Sequence, residues 1–244
     1  MNYKLTVAYD GTRYRGWQRL GEGAQSIQGK LEAVLSRMEG RPVEIQGAGR
    51  TDAGVHALGQ TVSVRLSEGR TPGEIMDYVN RYLPEDVGVL SVEEAPPRFH
   101  ARLTPSRKTY RYRIWASPLP CVFERRWCCC PERIPDGQRM AEAAPLFLGR
   151  HDFAAFHSGK TKKSTVRTIY AIEVKPVGPE LHVTVTGDGF LYNMVRIMAG
   201  TLLEIGWGER EAASIPAVLE AGDRALAGFT APPQGLCLME VNYL

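Results

Sequence analysis

The chain has 244 residues, 43% hydrophobic and 23% charged, a composition of soluble globular proteins with room for one large core or two smaller ones. Its net charge of +3 is too slight to argue by itself for a nucleic-acid partner, and no segment approaches the roughly 18 apolar residues of a membrane span. The opening MNYKLTVAYDG lacks the apolar core and cleavage site of a signal peptide, so a cytoplasmic protein with no membrane contact is expected.

Tyr3 to Tyr9 alternates apolar and polar residues and predicts a strand. Ser26 is placed to cap a helix that carries Ile27, Leu31, Val34, Leu35 and Met38 on one face and ends at Gly40. Val43 to Gln46 reads as a short strand, and Thr61 to Leu66 as another with Val62, Val64 and Leu66 facing inward. Thr71, Pro72 and Glu74 combine a cap, a first-turn proline and a reciprocal glutamate ahead of Ile75, Tyr78, Val79 and Tyr82. Val87 to Val92 completes a strand, helix, strand, strand, helix, strand order, that of a ferredoxin-like or RRM-like α/β half.

Ala95 to Pro105, bearing several prolines, reads as the link to a second half. That half opens with a strand from Thr109 to Ala116 and continues with a helix near Asp136 to Leu148. Strands at Val166 to Lys175 and Leu181 to Thr186 follow, then a long helix from Phe190 to about Ile205, a short one near Ile215 to Glu220 and a last strand from Leu236 to Asn242. The expected fold is α+β in two domains, residues 1–104 and 105–244.

Between the second and third strands lies GRTDAGVHA, Gly49 to Ala57. Glycines at 47, 49 and 54 permit positive φ and close approach of another chain segment, so this loop reads as a device for presenting Asp52 together with Arg50 and Thr51. An aspartate in a turn equally serves to hydrogen-bond backbone two residues on. Arg13, Arg15 and Arg19 interleave with Tyr14 and Trp17, and Lys160, Lys162, Lys163 and Arg167 form a second basic stretch. Both patterns suit phosphates and stacked bases, or simply a solvated loop. The five cysteines, at 121, 128, 129, 130 and 237, have no CxxC spacing, so free thiols are expected and Cys128 to Cys130 carry no assigned role.

GRTDAGVHALGQ, from Gly49 to Gln60, resembles the signature of the tRNA pseudouridine synthase A family. KLTVAYDGTRYRGWQ, KTYRYRI, HDFAAF, TVRTIY, GFLYNMVRIMAGTLLEIG and APPQGL resemble further family segments, in the family's order across nearly the whole chain. The resemblance implies two α/β halves with sheets edge to edge and an active-site cleft between them. It also implies a homodimer that converts uridine to pseudouridine at positions 38, 39 and 40 of the tRNA anticodon stem-loop without a cofactor or metal.

By the same resemblance Asp52 is the catalytic carboxylate. Burial would push its pKa upward, and a neighbouring arginine typically lowers a carboxylate by about 1 to 3 pH units. Arg196 fits that part, because it lies in a helix of mostly apolar residues where an unpaired charge would cost several kcal/mol; a long stem that carries the charge to solvent fits too. Tyr110 matches the family tyrosine that stacks on the target base, worth about 1 to 3 kcal/mol, and shares a strand face with Tyr112 and Ile114 while Arg111, Arg113 and Trp115 share the other. Tyr112 is left to the core. Arg50 resembles the family arginine that helps expose the base, with a phosphate clamp or local salt bridge as equal alternatives. His56 reads as a packed histidine donating to backbone.

Two other classes compete. A non-catalytic RNA-binding module of the same fold would need the stacking aromatics and not Asp52, and the ribonucleoprotein consensus of such modules is missing. A metal-dependent nuclease needs clustered ligands, which the sequence around Asp52 lacks.

Overall fold

The computed structural model describes residues 1–19, 25–159 and 162–243. Two compact units divide the chain, one formed by Met1–Ser106 with the C-terminal residues from Leu238, the other by Arg107–Cys237.

The first unit follows the apolar patterning closely. Strand β1 (Asn2–Tyr9) buries Tyr3, Leu5, Val7 and Tyr9 on one face. Helix α1 (Ile27–Glu39) starts where the Ser26 side chain accepts from the Gly29 N–H, and stops where Gly40 turns left-handed at φ 67°. It buries Ile27, Leu31, Leu35 and Met38, as expected, and also Glu32. That carboxylate is stationed beneath strand β2 (Ile45–Gly47): it accepts from the Ile45 N–H at 3.1 Å and from Gln28, with Arg19 at 3.2 Å.

Strand β3 (His56–Arg65) begins five residues before the alternation does, because from His56 to Gln60 both faces are largely buried and no period of two marks it. Helix α2 (Pro72–Tyr82) carries the expected capping box between Thr71 and Glu74. Strand β4 (Val87–Glu94) pairs antiparallel with β1, which pairs antiparallel with β3, and β2 lies along the far side of β3. The order β4-β1-β3-β2 with two helices is the ferredoxin-like arrangement expected for this half.

The proline-bearing stretch after β4 is packed into this unit rather than spanning freely. Asn2 donates to the Pro96 and Phe99 carbonyls, and the Ala101 N–H donates to the Ser63 hydroxyl.

The second unit holds strand β5 (Pro105–Trp115), helix α3 (Gly137–Ala143), strand β6 (Gly149–Asp152), strands β7 (Val166–Val177) and β8 (Glu180–Gly187), and helices α4 (Met194–Gly206) and α5 (Ser214–Ala221). Its strands run β5-β8-β7-β6, with each neighbouring pair antiparallel. Three features depart from the sequence expectation. The helix near Asp136 breaks after Ala143 into a 3₁₀ turn at Ala144–Phe147, where Pro145 lacks the N–H a continuing helix needs. Strand β6 is too short and too exposed to leave a pattern. The long helix starts at Met194 rather than Phe190, because Asn193 stands left-handed at φ 62° and cannot propagate a right-handed turn. The last strand, β9 (Leu236–Tyr243), returns to the first unit, where it neighbours β3 and the Met239 carbonyl presses against Gly59.

Candidate active site

Asp52 sits in the loop, residues 48–55, that leads from β2 into β3. The start of this loop is tied to the sheet: the Ala48 N–H donates to the Thr61 carbonyl at 2.8 Å, and the Gln60 side chain to the Gly49 carbonyl at 2.9 Å. A turn at its tip is closed by the Val55 N–H on the Asp52 carbonyl, with Gly54 at φ 77°. Thr51 is buried, its hydroxyl 2.8 Å from that of Tyr9. Asp52 is half-buried and Arg50 exposed.

The segment after β1 wraps this loop. The Trp17 N–H donates to the Thr51 carbonyl at 3.0 Å, and the contact is so close that a Cβ on Gly16, which has φ +99°, would stand 2.5 Å from that oxygen. On the other side the Trp17 indole fills the space that a side chain at Gly47 would need, 2.6 Å from where its Cβ would be. Of the three glycines singled out in the sequence, Gly54 thus supplies the positive φ and Gly47 the close approach.

Tyr14 and Trp17 are therefore core residues, 5% and 3% exposed, and are not available to stack on bases. The Tyr14 hydroxyl donates to Asp86, and burial together with that bond pushes its pKa up. Of the interleaved arginines, Arg13 pairs with Asp86 while Arg15 and Arg19 are exposed. His56 is packed as expected, but with the hydrogen bond reversed: its Nδ1 accepts from the Gly11 N–H at 3.0 Å, because the turn after β1 leaves that donor facing the ring, and Asp10 lies 3.1 Å away.

In the second unit, Tyr110 and Tyr112 are both buried on the inner face of β5. The edge of Phe190 meets the Tyr110 ring at 5.2 Å and 84°. Tyr112 belongs to the core, as expected, with its hydroxyl donating to the Pro232 carbonyl at 2.8 Å. Arg196, near the start of α4, is half-buried, and its guanidinium donates through Nε to the Ala231 carbonyl at 2.7 Å and through Nη1 to Asn193 Oδ1 at 2.8 Å. The backbone returns the contact, the Ala231 N–H donating to the Arg196 carbonyl.

Outside these regions, Lys162 and Lys163 are exposed, Arg167 is bonded to the Ser164 and Val166 carbonyls, and Lys160 lies outside the described residues. Cys121, Cys128, Cys129 and Cys130 are free thiols. Cys129 exchanges backbone hydrogen bonds with Arg113 and Trp115 along the edge of β5, and burial raises the Cys128 and Cys129 thiols. Burial and a contact with Cys121 push Cys130 up to about 12, so none of the three adjacent thiols is poised as a thiolate. Among the described residues no three His, Cys, Asp or Glu side chains gather as a metal site, and no helix is long and apolar enough to cross a membrane.

An α+β chain with a rigidly presented aspartate loop in a ferredoxin-like unit, and a half-buried arginine and a buried tyrosine in a second unit, is the class of protein these features define. The family follows from comparison with known proteins. A family model described as tRNA pseudouridine synthase matches residues 5–103 and 143–244, and the chain belongs to that family. It is 49% identical over 243 residues to tRNA pseudouridine synthase A of Bacillus sp. (strain KSM-64), covering 99% of each chain. Over 243 residues it is 43% identical to tRNA pseudouridine synthase A 2 of Bacillus anthracis, again 99% of each. With tRNA pseudouridine synthase A of Geobacillus kaustophilus (strain HTA426) it shares 44% over 242 residues, 98% of this chain and 93% of that one.

Sequence reasoning missed the parts that hold these residues in place. Gly16, Trp17, Asn193 and Ala231 all lie inside or beside segments that the resemblance rests on, yet Trp17 pointed to base stacking, a role its burial excludes, and the side-chain chemistry of the other three pointed nowhere. The one local signal was an asparagine just ahead of an apolar helix, a residue type that tolerates the left-handed conformation.

Proposed function

We propose that the chain is a tRNA pseudouridine synthase that isomerises uridines 38, 39 and 40 of the anticodon stem-loop, with Asp52 as the catalytic carboxylate. The reaction breaks the bond from ribose C1′ to uracil N1, turns the detached base and joins C1′ to C5. N1 gains a proton and C5 loses one, so atoms balance with neither oxidant nor added group. A carboxylate suffices as nucleophile or base. Arg196 serves to keep Asp52 ionised as water is excluded, Tyr110 stacks on the base, and Arg50 helps the nucleotide leave its stack, a step that costs a few kcal/mol. Asp52 belongs to the first unit, Tyr110 and Arg196 to the second. The protein acts as a cytoplasmic homodimer on tRNA.

The observation that carries the proposal is the Asp52 loop itself. Its turn, its buried threonine and its glycine-lined contact with Trp17 fix the backbone that carries a half-buried carboxylate, which supports the preorganisation that nucleophilic catalysis demands. A purely structural Asx turn would not need such an enclosure.

The test uses tRNA tritiated at uracil C5 and follows tritium release. Wild type is expected to release tritium in the presence of chelator, and Asp52→Ala to release none while still binding tRNA. Unchanged release by the variant overturns the role of Asp52. Binding without release by wild type favours the RNA-binding module instead.

A further inference from the structure

Asn193 is the only non-glycine residue with positive φ among the described residues, at φ 62° and ψ 4°. Left-handed backbone costs an L residue about 1 kcal/mol or more, and asparagine is among the few side chains that tolerate it. The residue stands at the N-cap of α4, where an asparagine ordinarily turns its side chain back onto the helix N–H groups. Here the side chain makes no capping bond. Its Oδ1 instead accepts from Arg196 Nη1 at 2.8 Å.

A guanidinium is a rigid plane, so two acceptors on different N–H groups fix its orientation. For Arg196, Asn193 Oδ1 on Nη1 and the Ala231 carbonyl on Nε are two such acceptors. Both acceptors are themselves tied down. The turn that holds Asn193 is bonded on one side by Ser158, whose N–H donates to the Tyr192 carbonyl, and on the other by the Met194 N–H on Leu191. The Ala231 to Pro232 turn is bonded by its own N–H to Arg196 and by the Tyr112 hydroxyl.

We propose that Asn193 is the positioning residue for Arg196. Its backbone ends the turn after β8 and starts α4, and its carboxamide oxygen aims the guanidinium. This rests on the role given to Arg196 under Proposed function. A strained residue that gives up its capping bond is accounted for if the oxygen is needed at the arginine.

The two contributions are separable by substitution. Glycine takes the left-handed backbone without strain and removes the oxygen. Aspartate keeps an oxygen acceptor at the same place. For Asn193→Gly the expected result is an unfolding midpoint equal to or above that of wild type, a turnover number about tenfold lower in tritium release, and a KM for tRNA within about twofold, the pattern of a misaimed group rather than a damaged fold. Asn193→Asp is expected to recover most of that turnover. A glycine variant as active as wild type, or an aspartate variant no better than glycine, overturns the proposal. Arg196→Met is measured alongside: if the uncharged variant is as active as wild type, the role of Arg196 and with it that of Asn193 both fall. If methionine fails while the glycine variant is fully active, only the positioning role of Asn193 falls.

Discussion

The Asp52 loop and the Arg196 guanidinium are held by opposite means. The loop is fixed largely by sterics and backbone: main-chain bonds to Thr61, to Trp17 and within its own turn hold it, beside the Gln60 and Tyr9 side chains, and its neighbours fit because Gly16 and Gly47 have no side chains. Arg196 is fixed by acceptors, one carboxamide oxygen and one carbonyl, around a side chain that keeps its own volume. The first arrangement tolerates loss of polar atoms better than added volume, and the second the reverse.

Adding volume to the first region has the largest expected effect on stability. In Gly16→Ala the new Cβ meets the Thr51 carbonyl at 2.5 Å while φ is +99°, so both a clash and left-handed strain are imposed. Together these are expected to cost about 3 kcal/mol in urea unfolding, and to lower tritium release about a hundredfold as Asp52 is pushed from its place. Full turnover in a destabilised variant would show that the close approach serves the fold and not the carboxylate.

Removing a polar atom from the second region comes next. Tyr112→Phe deletes the hydroxyl that donates to the Pro232 carbonyl and leaves volume unchanged. The expected cost is about 1 kcal/mol in unfolding, with turnover a few-fold lower because the Ala231 carbonyl, one residue before, loses an anchor. Stability lost with turnover untouched would break the link between that turn and Arg196.

These contrasts also mark what could be read from the sequence. The first unit was legible nearly element by element, since β1, α1 and α2 carry clean periods and caps in Ser26, Thr71 and Glu74 that act locally. Less was legible where long-range packing decides. The first half of strand β3, from His56 to Gln60, is largely buried on both faces and has no alternation, Pro145 splits a helix whose apolar pattern runs on, and Asn193 shortens another through a φ value that composition does not reveal. The same limit separates the site residues from their supports. Asp52 and Arg196 were marked by charge in unusual surroundings, whereas Tyr14 and Trp17 looked like an RNA-stacking pair until the loop they enclose was in view. The close approach at Gly47 was legible as a possibility, but not that the Trp17 indole is what fills the place of its missing side chain.

The smallest expected effect is a control on both regions, through the cap of α2. The Glu74 carboxyl accepts from the Thr71 N–H at 2.7 Å and from its hydroxyl at 3.0 Å, and these bonds hold its pKa below the ordinary 4.5. A carboxyl depressed in the folded state stabilises at pH well above its unfolded value, and that contribution disappears as pH falls through the folded value. Glu74→Gln keeps an oxygen acceptor for the cap but not the charge. Its melting temperature is therefore expected to lie slightly below that of wild type at pH 7, with the gap closing as pH falls through the lowered carboxyl value and the wild-type carboxyl protonates. Tritium release at pH 7 should be unchanged, since α2 packs on α1 and β4 and the cap lies at its exposed N-terminal end. If turnover fell with so small a loss of stability, the catalytic cost of Gly16→Ala could no longer be assigned to the loop, and would have to be read as a general response of the first unit to weakening anywhere within it.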